Sequence, residues 1–419
     1  MSFWIAAIAA VIILGCTGPL GWDAQGYWDA VQTVHHGADP YAKDLAALQA
    51  YQGKLAANPA ERQPFVYVYS PTTLPLLRLL GALPGWLLAV LYGAAVALGA
   101  ILALWAGFQL ADESERPFLA LVAPALIFFP GLVTDDVILS GNVAFPLYGI
   151  ILAAATLGWK RGRWFWFYAA VVVASIFKTP FIALVAFPVL IDRKQWISSC
   201  RTAVAALLLF AAQVRLFPAT FPEYLSSVRL VFDWMHDFGY GPAGTLARAL
   251  WSPGQSPALL VTILHLVFVG GMAIVLLFLA RRVRDENVPQ QMWIPVALVG
   301  TFLLNPRIMK YDMAAITIPM FLIAWRGLRA VVEDRGESVA SSGRLLVFVG
   351  AACFLVPNLM TVFGPVWWPV ELLVMLTVFA LGARSIWQPE VLPLSLATPA
   401  ELIVAPAELI EMAIPEEAV

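Results

Sequence analysis

The chain has 419 residues, 61% of them hydrophobic and 12% charged, with a mean hydropathy of +0.81. A soluble domain carries roughly 25% charged residues, so this composition excludes a water-soluble enzyme, and a single-span receptor would leave most of the apolar sequence unused. The net charge of −2 gives nucleic acid no electrostatic footprint.

A crossing of the hydrocarbon core takes about 20 apolar residues. The sequence therefore predicts an all-α, polytopic transmembrane helical protein with about 11–13 membrane segments, some broken or re-entrant. Long apolar runs without alternation exclude a membrane β-barrel. The first apolar window, 3–20, is preceded by no Lys or Arg and reads as an uncleaved membrane helix. Cys16, Cys200 and Cys353 each lie in or beside an apolar run, without metal or disulfide spacing, and are expected to be small buried hydrophobes. An external loop, 21–65, follows. The next window, 66–83, is interrupted by Pro71 and Pro75 and carries Arg78, so it is expected to line a cavity. Further windows fall at 86–109, 117–133, 142–158, 164–191, 201–217, 258–280, 291–304, 311–325, 344–361 and 368–384.

Basic clusters at Lys160, Arg161 and Arg163, at Arg193, Lys194 and Arg201, at Arg281, Arg282 and Arg284, and at Arg326, Arg329, Arg335 and Arg344 orient the chain. The positive-inside rule places all of them in the cytoplasm. Window 164–191 must then leave and return, as two short or broken helices meeting near Lys178, Thr179 and Pro180. Counts from the two directions agree only if 66–83 does not fully span or another segment is re-entrant. Residues 218–257 form a second external loop, and 305–312 (NPRIMKYD) a short external turn. Residues 1–385 make one membrane domain with its active site in the external loops. Residues 386–419 form an acidic cytoplasmic tail that repeats PAELI.

The polar minority carries the functional information. Asp23, Tyr27, Ala30 and Val34 recur at helical spacing, placing Asp23 at a helix start at the lip of the first span. There it is either an N-cap or a catalytic base. His35 and His36 read as surface histidines. Asp135 and Asp136 read as a loop end or cap in preference to a metal or sugar-hydroxyl site. Lys178, inside an apolar stretch, is a functional candidate, with snorkelling to the interface as its rival. Arg307, Lys310, Tyr311 and Asp312 crowd one external turn, where cations run against the orienting bias and point to an anionic partner such as phosphate. Asp233, His236 and Asp237 form an aromatic-rich cluster that either joins the site or lies on the bilayer.

The same residues carry a family likeness. Asp23, Tyr27, Ala30, Gly37 and Tyr41 are followed by Tyr67, Tyr69 and Pro71, then Gly141 and Asn142, then Lys178 and Pro180, then Pro306, Tyr311 and Asp312. In that order they resemble glycosyltransferase family 87, of the GT-C superfamily. The stretch Ser140-Gly141-Asn142 departs from the commoner pattern, lacking the Gln often found beside that Gly. The resemblance implies a hexosyltransferase, mannosyl or related, that draws on polyprenyl-phosphate sugars at the external face of a bacterial-type plasma membrane.

On that reading Asp23 takes the acceptor's proton, and Arg307, Lys310 and Lys178 offset the charge on the departing phosphate. Tyr27, Tyr69, Asn142, His236, Tyr311 and Asp312 are the further substrate-binding candidates. The product is inverted, the acceptor is a lipid or glycan, and no metal or other cofactor is required, although Asp135 and Asp136 keep a divalent ion open. A transporter or flippase of lipid-linked sugars is the alternative. Against it stand the absence of a repeat between the halves and the collection of polar residues on one face.

Overall fold

The structure, a computed structural model, describes residues 22–55, 66–117, 119–120, 141–233, 239–250, 258–334 and 370–387. The windows 3–20 and 344–361, nearly all of 117–133, and the acidic tail lie outside the described residues. The described chain forms α1 (Trp22–His35), α2 (Pro40–Leu55), α3 (Leu74–Gly81), α4 (Gly85–Leu110), α5 (Ala144–Arg161), α6 (Phe165–Phe177) and α7 (Phe187–Ile191). Then come α8 (Trp196–Leu216), α9 (Phe221–Asp233), α10 (Pro242–Ala249), α11 (Ala258–Asp285), α12 (Gln290–Leu303), α13 (Ala314–Asp334) and α14 (Val370–Trp387). Among the described residues there is no strand, only an isolated bridge between Gly239 and Ile308.

Side-chain contacts sort the helix termini into two ends. Lys160, near the end of α5, donates to Gln109 near the end of α4. Tyr168, early in α6, bonds Ser199, early in α8, at 3.0 Å. Trp293 at the start of α12 donates to the Leu190 carbonyl of α7 at 3.1 Å. Arg282 near the end of α11 donates to the Trp387 carbonyl at 2.8 Å. This basic end collects Lys160, Arg161, Arg193, Lys194 and the arginines of α11. It is fastened by Arg326 of α13, whose Nε lies 2.7 Å from Glu115 and whose other nitrogens reach the Gln291 and Leu110 carbonyls at 2.6 and 2.9 Å.

Because α4 ends there, it begins at the opposite end, together with α1, α2 and α3. The parity of the first half follows: 66–83 does not cross. Its helix α3 has 8 residues, about 12 Å of rise against a hydrocarbon core of roughly 30 Å.

Among the described residues three helical stretches, Gly85–Leu110, Arg193–Leu216 and Leu259–Asp285, are long and apolar enough to cross a membrane. Their outward faces expose Leu98, Ile101, Leu207, Leu208, Val267 and Ile274. Such contiguous apolar surface is stable against lipid and a liability in water. Cys200 differs from its expected burial: it is exposed on α8, near exposed Ile197 and Val204, so it belongs to this face. Inside, α4 and α5 cross so closely that a Cβ on Gly149 would stand 2.3 Å from the Gly99 carbonyl oxygen. Small residues permit that approach, and in lipid helix association depends on such packing.

The window 164–191 is a chevron. Helix α6 rises for 13 residues, about 20 Å, and stops at Lys178, whose backbone is extended (φ −132°, ψ 104°). Pro180 cannot donate a backbone hydrogen bond, and the chain returns as a 3-10 turn over Thr179–Ala186, then α7. Lys178 therefore stands at the apex, short of a full crossing.

Candidate active site

Three broken backbone segments meet at the end opposite the basic one: the stretch 66–73, the apex at Lys178, and the turn between α12 and α13. The first is tied down at several points. The Tyr67 N–H donates to Asp44 at 2.7 Å, the Tyr67 hydroxyl bonds Thr73 at 2.7 Å, and Ser70 donates to Gln213 of α8 at 2.8 Å. Tyr41 donates to the Tyr69 carbonyl. These bonds fix the Tyr69 ring between α1 and α5.

Asp23 lies in the first turn of α1 and is buried, 6% exposed. Its Oδ2 accepts a hydrogen bond from the Asn142 side-chain amide at 2.8 Å. Asn142, fully buried, also reaches the Tyr69 hydroxyl at 3.4 Å, and its Oδ1 accepts the Ala144 N–H at 2.9 Å, which caps α5. Tyr27 and Tyr69 share a hydrogen bond between their hydroxyls, and the Val143 N–H donates to Tyr27 at 3.3 Å. The partner identified for Asp23 is thus Asn142, two residues ahead of α5, rather than a group of its own helix start. Burial pushes the Asp23 carboxyl above the usual carboxylate range. The Asn142 bond and the charges of Lys178 and Arg307 pull it back, while Asp312 adds to the rise.

The approach of α1 to α5 depends on Gly141, which has φ +72°. A Cβ there would stand 2.5 Å from the Ala24 Cβ. The glycine thus permits both the turn and the contact that brings Asn142 to Asp23.

Beside this cluster lies a cavity of about 340 Å³ lined by Tyr69, Tyr148, Lys178, Asn305, Arg307 and Asp312, with Phe177, Phe181 and Tyr224 as aromatic wall. That volume suits a small-molecule site. Lys178 Nζ lies 3.7 Å from Asp312 Oδ1 and 4.3 Å from the Tyr311 ring centroid. Asp312 Oδ2 accepts the Met309 N–H at 2.9 Å, and the Arg307 N–H donates to Asn305 Oδ1 at 3.0 Å.

The sequence placed 305–312 in a short external turn. The structure buries Asn305, Ile308, Tyr311 and Asp312 and covers the turn with Tyr240, whose N–H donates to the Ile308 carbonyl at 2.6 Å. The cause is the length of α12, 14 residues, which ends about 21 Å from its basic start.

Asp23, Tyr27, Tyr69 and Asn142 form one connected cluster; Tyr69, Lys178, Arg307 and Asp312 line the adjoining cavity. Tyr311 supports Lys178 from beneath. The backbone of Lys310 joins the turn, but its side chain lies outside the described residues, as do His236, Asp135 and Asp136. Tyr148 and Asn305 went unpredicted; they bond each other and line the cavity. A hydroxyl in the apolar run of α5 and a polar residue before Pro306 were their signals.

The sequence model of glycosyltransferase family 87 matches residues 67–306, more than half of the chain. The chain belongs to glycosyltransferase family 87. It is accordingly a membrane glycosyltransferase, and the matched span contains Tyr69, Asn142, Lys178 and Asn305, while Asp312 lies just past its end and Asp23 well before its start. Comparison with curated proteins finds no match. Comparison with solved structures finds none either.

Proposed function

We propose that this family 87 enzyme transfers a hexosyl group, mannosyl by the family likeness, from a polyprenyl-phosphate donor to a hydroxyl of a lipid or glycan acceptor. One observation carries the reading: a buried carboxylate, Asp23, is joined through Asn142 to Tyr69, which lines one cavity with the cations Lys178 and Arg307, at the end of the helix bundle away from the basic clusters. A base and a cationic pocket are the two parts that glycosyl transfer from a phosphate requires.

The acceptor oxygen attacks the anomeric carbon while its proton passes to Asp23. The bond from that carbon to the phosphate oxygen breaks, and its electron pair leaves with the phosphate. Arg307 offers forked donors to the departing oxygens, with the Lys178 charge nearby. Direct displacement inverts the anomeric centre. Asn142 holds Asp23 in place and keeps part of its charge solvated by an N–H donor. The active end faces outward from a plasma membrane by the positive-inside rule, so a lipid donor presents its phosphate where the chevron apex and the broken turn meet.

The reading uses no metal.

The test is incubation of purified protein in lipid discs with radiolabelled polyprenyl-phosphate hexoses and a membrane-lipid extract as acceptor. The expected result is label in a new lipid or glycan with matching loss of donor. Turnover of nucleotide sugars alone would overturn the donor class. Movement of intact donor across vesicles without product would support the carrier alternative.

A further inference from the structure

The cavity contains an ion pair whose hydrogen-bonding capacity is unspent. Lys178 Nζ and Asp312 Oδ1 are both buried and neither has a hydrogen-bond partner. Their 3.7 Å separation is within ion-pair range but beyond the 2.7–3.2 Å of a charge-assisted hydrogen bond. The two side chains are not free to drift. Asp312 is fixed through its other oxygen, which accepts the Met309 N–H at 2.9 Å, and its own N–H donates to the Met309 carbonyl at 3.0 Å. Lys178 is fixed by the end of α6 and by the Tyr311 ring beneath its ammonium. Both residues line the cavity.

A buried donor and a buried acceptor left unbonded on two residues that line one cavity cost free energy unless something joins them. The chemistry of that something is restricted. It must donate to a carboxylate and accept from an ammonium. A phosphate accepts only, and Asp312 repels it; an amine donates only, and Lys178 repels it. A hydroxyl does both through one atom.

We propose that Lys178 and Asp312 together read one ring hydroxyl of the transferred sugar, making Asp312 the specificity-determining residue of the donor site. This rests on the transferase reading above. It separates the cavity into a phosphate side at Arg307 and a sugar side at the Lys178–Asp312 pair. Lys178 has three N–H donors, so its charge still contributes to the phosphate side while one N–H meets the hydroxyl.

The experiment uses the full-length protein in lipid discs with the parent polyprenyl-phosphate hexose and a set of monodeoxy analogues, each lacking one ring hydroxyl. Sites built to hydrogen-bond a substrate hydroxyl reject the analogue lacking it strongly, up to about 10⁴–10⁵-fold. One monodeoxy donor should lose at least about 100-fold in kcat/KM, and the others much less. In Asp312→Asn, which keeps an oxygen for the Met309 N–H but sets an amide donor toward Lys178, the parent donor should slow and that selective loss should shrink to about tenfold or less. Transfer of every monodeoxy sugar by the wild-type protein within about threefold of the parent would overturn the proposal without any variant. So would a discrimination left intact in a folded Asp312→Asn protein. If the wild-type protein transfers no hexose from the parent donor, the underlying transferase reading has failed instead.

Discussion

Two buried ion pairs stand at opposite ends of this molecule, and they are built differently. At the basic end Arg326 meets Glu115 with two nitrogen–oxygen contacts of 2.7 Å, and two further N–H groups donate to two backbone carbonyls. In the cavity Lys178 and Asp312 stand 3.7 Å apart, each with a buried polar atom unpartnered. Burial of charge is costly in both places. One pair recovers the cost through four hydrogen bonds from a single guanidinium, and the other, beside a cavity, makes none between its members. The first is built as a structural clasp, and the second is the pair for which a sugar hydroxyl is proposed above.

The sharpest way to break this contrast is at Asp23, the carboxylate attached to the incomplete end. Asp23→Asn should lower transfer by about 10²–10⁴-fold, the usual contribution of a positioned base. Because burial raises the folded-state pKa of Asp23, the acid limb of the wild-type rate should lie above the ordinary Asp range, with activity lost as pH falls through it. Stability runs the other way. A group whose pKa is raised on folding contributes stability fully present below its unfolded pKa and lost as pH rises through the folded value. At neutral pH Asp23→Asn should therefore melt at or above the wild-type temperature. A variant that transfers at the wild-type rate would remove Asp23 from the mechanism.

Arg326→Met tests the complete pair. Removing one partner strands Glu115 and should cost about 3–5 kcal/mol, read as a lowered thermal midpoint in detergent, while turnover per folded molecule stays unchanged. Replacing Glu115 and Arg326 together with apolar residues should recover most of the loss. If the single and double variants are equally unstable, the clasp is not a closed unit.

How much of this was readable from the sequence follows from the same contrast. The apolar windows of α4, α5, α8, α11 and α12 were legible because lipid imposes continuous hydrophobicity on whatever it surrounds. The break at Lys178 was legible too, since Pro180 and a buried cation announce it. The fate of 66–83 was not. Its apolar content is that of a span, and only the contact of Lys160 with Gln109, between helices far apart in sequence, shows on which side α4 ends. Asp23 was legible as a candidate, but its bond to Asn142, 119 positions away, was not, because no local pattern ties those positions together. Arg326 looked like one more orienting cation. Its role depends on Glu115, and no local pattern links the two.

Gly141→Ala probes how closely the functional cluster must be held. A Cβ at φ +72° and 2.5 Å from Ala24 imposes left-handed strain of about 1–3 kcal/mol and moves Asn142 from Asp23. Transfer should fall about tenfold, with KM for the donor little changed, because the base rather than the phosphate pocket is displaced. A larger effect on KM than on kcat would place the disturbance in the cavity.

The smallest effect is expected at a third acidic contact, where α9 meets α2. Glu223 shares a hydrogen bond with Asp39, and that bond, with partial burial and the neighbouring charge, pushes the Glu223 carboxyl up to about 7. Asp39 is itself anchored by accepting the Tyr41 N–H at 2.8 Å. Between the ordinary Glu range and about pH 7 the folded protein holds a proton that the unfolded chain has released. This contact's contribution is therefore fully present below that window and is lost as pH rises through it. Glu223 is largely solvated, so screening reduces the effect to about 0.5 kcal/mol. Glu223→Gln keeps a donor for Asp39 at every pH, so the thermal midpoint of the variant should lose the decline that wild type shows between pH 5 and 8. Equal slopes in the two proteins would mean that α9 is held against α2 by its apolar contacts, Tyr41 on Tyr224 and Phe221 beside it, and not by the shared proton.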